Sequence, residues 1–228
     1  MNQNLTDITF ILDRSGSMES LRRAAINGFN EFLHIQQNAP GQALLSLIQF
    51  DDQYEVWARA LPIAEVTPLT KKTFQPRGCT ALLDALGRTI DETGERLAAL
   101  PEPQRLGKVI IAVMTDGLEN ASTRFNHREV AQRIAHQRDV YSWEFLFLGA
   151  NQDAIATAAQ LNILKNNAVT YGATPVACAA VTSALSRKVS AIRSAQAGDP
   201  QPGPDLAAPM SQILREELNK KNRDDTST

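Results

Sequence analysis

The first fifty residues set a pattern that the rest of the chain repeats. An apolar run at 7–12 (DITFIL) reads as a buried strand. Over 19–38 the apolar positions fall at helical spacing, with Leu21, Ala25, Phe29, Phe32 and Leu33 on one face. The break APGQ separates that helix from a second strand at 43–51 (ALLSLIQFD). A third strand is predicted over 54–66, and the short Asp51–Asp52–Gln53 connection before it makes the pair a hairpin. Pro62 puts the end of this strand at a sheet edge, because proline has no N–H for a ladder.

Further along, a Gly-marked loop and a long amphipathic helix share 77–102, and the most apolar strand occupies 107–120. A helix at 126–138, a strand at 141–150, a helix at 152–162, a short strand at 168–172 and a helix at 174–195 follow. Strand and helix alternate nearly throughout, which predicts an α/β fold around a mostly parallel sheet. The character changes at 196. QAGDPQPGPDLAAP is a Pro/Gly linker of the extended or disordered kind, MSQILREELNKKN makes at most one short helix, and RDDTST is a polar end. The organisation expected is a domain at 1–195 and a tail at 196–228. The tail reads as solvated, with a docking peptide as the alternative.

Composition narrows the function classes. At 228 residues the chain suits one sizeable domain, and 43% hydrophobic residues supply a full core. A net charge of −2 and a pI near 6.0 argue against a nucleic-acid surface. Cys79 and Cys178 are too few for a disulfide scaffold and fit a reducing compartment. No apolar run reaches the roughly 20 residues of a membrane span, and residues 1–9 show no secretory leader. The expectation is a cytoplasmic, monomeric protein acting on neither membrane nor nucleic acid.

The chemistry gathers where strands end. Asp13 closes the first strand and Asp116 the 107–120 strand, and in a doubly wound sheet those two strands are neighbours. Two adjacent carboxylates repel and raise each other's pKa, a conflict that a divalent cation removes. Ser15 and Ser17 follow Asp13 at alternate positions around Gly16, and Thr80 opens the next long helix. A donor set of carboxylates and hydroxyls, without His or Cys, favours Mg²⁺ or Mn²⁺ ahead of Ca²⁺ and argues against Zn²⁺. Each feature alone also reads as a helix cap or an Asp-Gly turn. Their conjunction at matching strand ends favours the metal.

The set Asp13–x–Ser15–Gly16–Ser17, Thr80 and Thr115–Asp116–Gly117 resembles the von Willebrand factor A domain family over roughly residues 5–195. The resemblance implies a six-stranded sheet with one antiparallel edge strand, flanked by helices. It also implies a metal-ion-dependent adhesion site. Ser15, Ser17 and Thr80 would be direct or near-direct ligands, and Asp13 and Asp116 would act directly or through water. The partner implied is a protein that offers an Asp or Glu carboxylate to the metal. Intracellular bacterial members imply a separate AAA+ ATPase of the MoxR type, or a stress or defence system, as the setting. Arg14, in the variable position of the motif, either steers an acidic partner or is a solvated side chain. Glu119 and Asn120 are further candidates for partner contact, and Cys79 is expected to be buried and inert.

Two readings compete with a binding module. One is a metal-dependent phosphohydrolase, which Mg²⁺ beside carboxylates and serines would permit. Against it, neither Ser15 nor Ser17 has a sequence-evident base, since His34, His127 and His136 fall within or at the start of predicted helices. The other is a structural subunit that recruits its partner through the tail.

Overall fold

The structure, a computed structural model, describes residues 2–101, 104–150, 153–195 and 203–225. In chain order the elements are β1 (Asn2–Asp13), α1 (Arg22–Asn38), β2 (Gln42–Phe50), β3 (Tyr54–Pro62) and α2 (Leu82–Ala98). After them come β4 (Leu106–Thr115), α3 (His127–Tyr141), β5 (Glu144–Ala150), α4 (Ala154–Gln160) and β6 (Ala168–Tyr171). The last are α5 (Pro175–Ser194), α6 (Pro204–Ala207) and α7 (Met210–Asp225). The six strands form one sheet in the order β3-β2-β1-β4-β5-β6. Every pairing is parallel except β2–β3, the expected hairpin, in which Pro62 stands opposite Leu44 on the edge strand.

Both faces of the sheet are buried, and the two-residue period of the strands divides the core. Phe10 and Leu12 of β1, Ala112 and Met114 of β4, and Leu146 and Leu148 of β5 face α1, α5 and α7. Ile11, Ile111, Val113, Phe145 and Phe147 face α2, α3 and α4. Runs apolar at every position are what a sheet covered on both faces requires. On the first face Phe10 meets Phe29 edge-on, with ring centroids 5.4 Å apart. Beside it α1 crosses α5 so closely that a Cβ on Gly28 would fall 2.7 Å from Thr182 Oγ1.

Several boundaries differ from the sequence pattern for local reasons. The 19–38 helix begins as a 3-10 turn over Gly16–Leu21 before α1. The 54–66 strand gives way at Ile63 to another such turn. Residues 140 and 141, expected to open a strand or precede it, complete the last turn of α3, and Ser142 at φ 56° then redirects the chain.

The C-terminal segment departs most from expectation. Residues 196–202 of the linker, and 226–228, lie outside the described residues, as do 102–103 and 151–152, which include the last residue of the predicted 77–102 helix and the first of the 152–162 helix. The described part is not a solvated tail: α7 packs on α5 and β6, with Met210 and Ile213 fully buried in the first core. Charged groups fasten it. Arg187 of α5 bonds Asp205 (2.6 Å), Glu216 (2.8 Å) and Glu217 (2.9 Å). Lys188 Nζ donates to the carbonyls of Leu206 and Ala208 at 2.7 and 2.9 Å. Among the described residues, no helix is long and apolar enough to cross a membrane.

Candidate metal site

The parallel strands β1 and β4 are neighbours, so Asp13 and Thr115–Asp116 emerge together at their carboxyl ends. The loop after β1 is pinned on both sides. Arg14 N–H donates to the Phe50 carbonyl at 2.8 Å, Gly16 N–H to that of Gly78 at 3.1 Å, and Arg77 N–H to that of Arg14 at 2.8 Å. This lattice carries the residues before α2 to the same point, where Thr80 joins the group.

All five expected ligands converge. Asp13 Oδ1 accepts from the Ser15 N–H at 2.6 Å, and the hydroxyls of Ser15 and Ser17 lie 3.1 Å apart. Ser17 Oγ donates to Asp116 Oδ1 at 2.6 Å. A Cβ built on Gly117 would fall 2.6 Å from Thr80 Oγ1 and 3.5 Å from Oγ of both Ser15 and Ser17. Asp13, Ser15 and Thr80 are buried, Asp116 is half-buried, and Ser17 is exposed, so the cluster has a floor and an open rim.

The electrostatics leave the two acids short of positive charge. Burial pushes the Asp13 carboxyl up to about 6, against the hydrogen bonds from Thr115 and Ser15 and with a further push from Asp116. Burial also raises Asp116, partly offset by the Ser17 hydroxyl. Among the described residues no Lys, Arg or His forms an ion pair with either acid. Nor do the described residues hold any cluster of three or more His, Cys, Asp or Glu side chains suited to a metal. The donor set is two carboxylates and three hydroxyls around a glycine-walled gap, which fits a hard cation with oxygen ligands and no soft or imidazole donor.

The three candidate partner contacts have other duties. Arg14 is 4% exposed and lies 3.0 Å from Asp51 and 2.7 Å from Glu55, so it neither steers a partner nor is solvated. Its position beside an acid-rich hairpin turn draws it inward. Asn120 Oδ1 accepts from Thr80 N–H at 2.8 Å, and the Thr80 carbonyl accepts from the N–H of Asn120 at 3.0 Å. Glu119 accepts from Leu83 N–H at 2.8 Å, in the first turn of α2, and from the N–H and hydroxyl of Ser122 at 2.7 Å each. These two residues position Thr80 and cap α2, whose own N-cap, Ala81, has no side chain for the purpose. Cys79, expected to be buried, is exposed. Thr115 was not a candidate ligand, yet its hydroxyl donates to Asp13 Oδ2. The only sequence signal for it was its place immediately before Asp116.

No protein-family model and no curated protein matches the chain. Solved structures do. Proximal thread matrix protein 1 from the mussel byssus superposes with a TM-score of 0.58 at 15% identity, covering 81% of this chain and 48% of its own. The vWF domain of the type V pili tip protein Mfa5 from Porphyromonas gingivalis gives 0.56 at 13% identity, with 85% and 98% covered. A von Willebrand factor type A protein from Catenulispora acidiphila gives 0.52 at 13% identity, with 82% and 43% covered. The chain thus spans about half the length of the mussel and Catenulispora proteins. Strand order, the single antiparallel edge and these superpositions agree: the chain has the fold of a von Willebrand factor type A domain.

Proposed function

We propose that the protein is a metal-dependent protein-binding module. Asp13, Ser15, Ser17, Thr80 and Asp116 hold a divalent cation, Mg²⁺ or Mn²⁺ ahead of Ca²⁺, and a partner protein supplies an Asp or Glu carboxylate to it. The carrying observation is the gap at Gly117, where three hydroxyls meet two carboxylates with which no cationic side chain among the described residues pairs. The ion supplies the charge those acids lack and an electrophilic position open to the partner. The mussel byssus protein, whose MIDAS motif has been obtained occupied by zinc, supports a divalent ion in this fold. Binding is preferred to phosphoryl hydrolysis because among the described residues no histidine bonds either serine, and the acid that accepts from Ser17, Asp116, is itself one of the groups that would hold the ion.

The proposal extends to a cytoplasmic setting and a separate AAA+ ATPase of the MoxR type as a partner class. The unpaired thiols, one of them exposed, suit a reducing compartment. The sequence contains no G-x-x-x-x-G-K-[ST] loop of its own. The test is affinity capture from cells of the source organism with wild type in Mg²⁺, wild type in EDTA and Asp13→Ala in Mg²⁺. A protein captured only in the first arm supports the reading. The same proteins in all three arms would move the contact surface away from the metal. Magnesium-dependent phosphatase turnover that vanishes in Asp13→Ala would replace binding with catalysis.

A further inference from the structure

Asp51 is the first residue beyond β2, and Phe50 before it stands opposite Asp13 of β1, so it lies at the sheet end where the oxygen cluster forms. It is fully buried. Its Oδ2 lies 3.0 Å from Arg14 Nε and accepts from Arg77 Nε at 2.8 Å. Its Oδ1 accepts from the Gln53 N–H at 2.6 Å, which holds the carboxylate against its own turn. Its main-chain carbonyl accepts from the Ala81 N–H at 2.9 Å.

These contacts bracket the cluster without joining it. Arg14 sits between Asp13 and Ser15, and Arg77 and Ala81 lie on either side of Thr80. The loop after β1 and the segment before α2 also bond each other, through the Arg77 N–H and the Arg14 carbonyl. Glu55 backs the joint, 2.7 Å from Arg14 Nη1 and 3.0 Å from Arg77 Nη2. One buried carboxylate thus ties together the two stretches that bring Ser15, Ser17 and Thr80 to the gap at Gly117. Charge-assisted bonds are roughly twice as strong as neutral ones, and burial shields the Arg14 half of the joint from water.

We propose that Asp51 is a positioning residue of the cation site and sets its preference for the smaller ion. This deepens the metal reading above and rests on it. Ser15 and Ser17 come from one of the joined stretches and Thr80 from the other, so the joint fixes the width of the gap between their hydroxyls. Mg²⁺ demands near-ideal octahedral geometry from its oxygens, whereas Ca²⁺ accepts longer and looser arrangements. A gap held at one width serves the first ion, and a gap free to widen serves the second. The residue type suits the task. A carboxylate takes both guanidinium groups at once, and an amide in its place would keep the shape but lose the charge that holds them.

The test uses Asp51→Asn and Arg77→Gln in the full chain, each compared with wild type by calorimetric titration with Mg²⁺ and with Ca²⁺ and by thermal melting in EDTA. The Arg77 side chain is half exposed, so its variant loosens the joint without emptying the core, and it decides alone where Asp51→Asn does not fold. The expected result is Mg²⁺ affinity about tenfold weaker, with Ca²⁺ affinity less affected, so that the preference for Mg²⁺ narrows in both variants. A loss of stability alone lowers binding of the two ions by the same factor. A ratio of affinities that stays as in wild type therefore assigns Asp51 a structural role and overturns the proposal. Unchanged affinity for both ions, or a wild type that prefers Ca²⁺, also overturns it and leaves the metal site standing. Wild type that binds neither ion overturns the metal reading itself.

Discussion

Gly117 leaves room for the proposed cation by having no side chain. A methyl there would press within 2.6 Å of Thr80 Oγ1, closer than a folded interior admits, and would point into the gap between the hydroxyls. Gly117→Ala is expected to weaken Mg²⁺ binding by about tenfold or more in calorimetric titration, while melting in EDTA moves little. Binding of ordinary strength would mean that the ion sits elsewhere. The two thiols separate just as clearly. Cys79 is exposed, whereas Cys178 is fully buried with its thiol raised to about 12. Alkylation of the native protein should add one group, on Cys79, as read by peptide mass; two adducts would contradict the packing around α5. The five oxygen-bearing residues that converge were legible because their spacing and strand-end positions are local features. The duties of Arg14, Glu119 and Asn120 were not, since each involves a partner 36 to 41 positions away. Nothing near Asn120 in the sequence announces that it will hold the Thr80 amide.

Among the elements, α5 joins α1 to α6 and α7. Gly28 lets α1 approach it, and Gly28→Ala would drive a Cβ against the buried Thr182 side chain. The overpacking is expected to cost roughly 1–3 kcal/mol, measurable as a lower denaturant midpoint with the m-value unchanged. A destabilisation no larger than that of a surface alanine would show that the helices separate freely. On its other flank α5 holds α7 through Arg187. Burial works to raise Glu217, but Lys220 and Arg187 outweigh it and hold its carboxyl below the ordinary 4.5. A depressed acid contributes stability that is present above its unfolded pKa and lost as pH falls through the lower folded value. Docking of α7 should therefore loosen below about pH 4.5, detected as earlier proteolysis of the 203–225 segment. Arg187→Met should bring that proteolysis up to neutral pH, because three carboxylates are then left facing one another. Equal protection of the segment at pH 7 and at pH well below 4.5 would rule out this fastening.

At the scale of the whole molecule, the sheet was readable and the tail was not. Apolar runs at β1, β4 and β5 are continuous because both faces are covered, and the short β2–β3 connection permits only an antiparallel neighbour. The segment after 203 offers few apolar residues, and much of what holds it is charge from Arg187 and Lys188, which a hydrophobic pattern does not register. Docking also bears on the choice between the two proposed recruiting surfaces. Met210 and Ile213 are spent inside the core, so α7 has little apolar surface left for another protein, whereas the rim of the oxygen cluster is open. Ile213→Asp buries a charge and is expected to undock α7, lowering stability by several kcal/mol in denaturant titration. No oxygen of the site comes from α7, so Mg²⁺ affinity should stay within about twofold, as for distant independent positions. Capture of the partner in Mg²⁺ should survive Ile213→Asp and fail in Thr80→Ala. Capture that fails in Ile213→Asp and survives in Thr80→Ala would make the tail the recruiting element, with α7 a folded store for it. Loss of metal binding in Ile213→Asp would instead show that α7, acting through α5 and β6, holds the floor of the site in place.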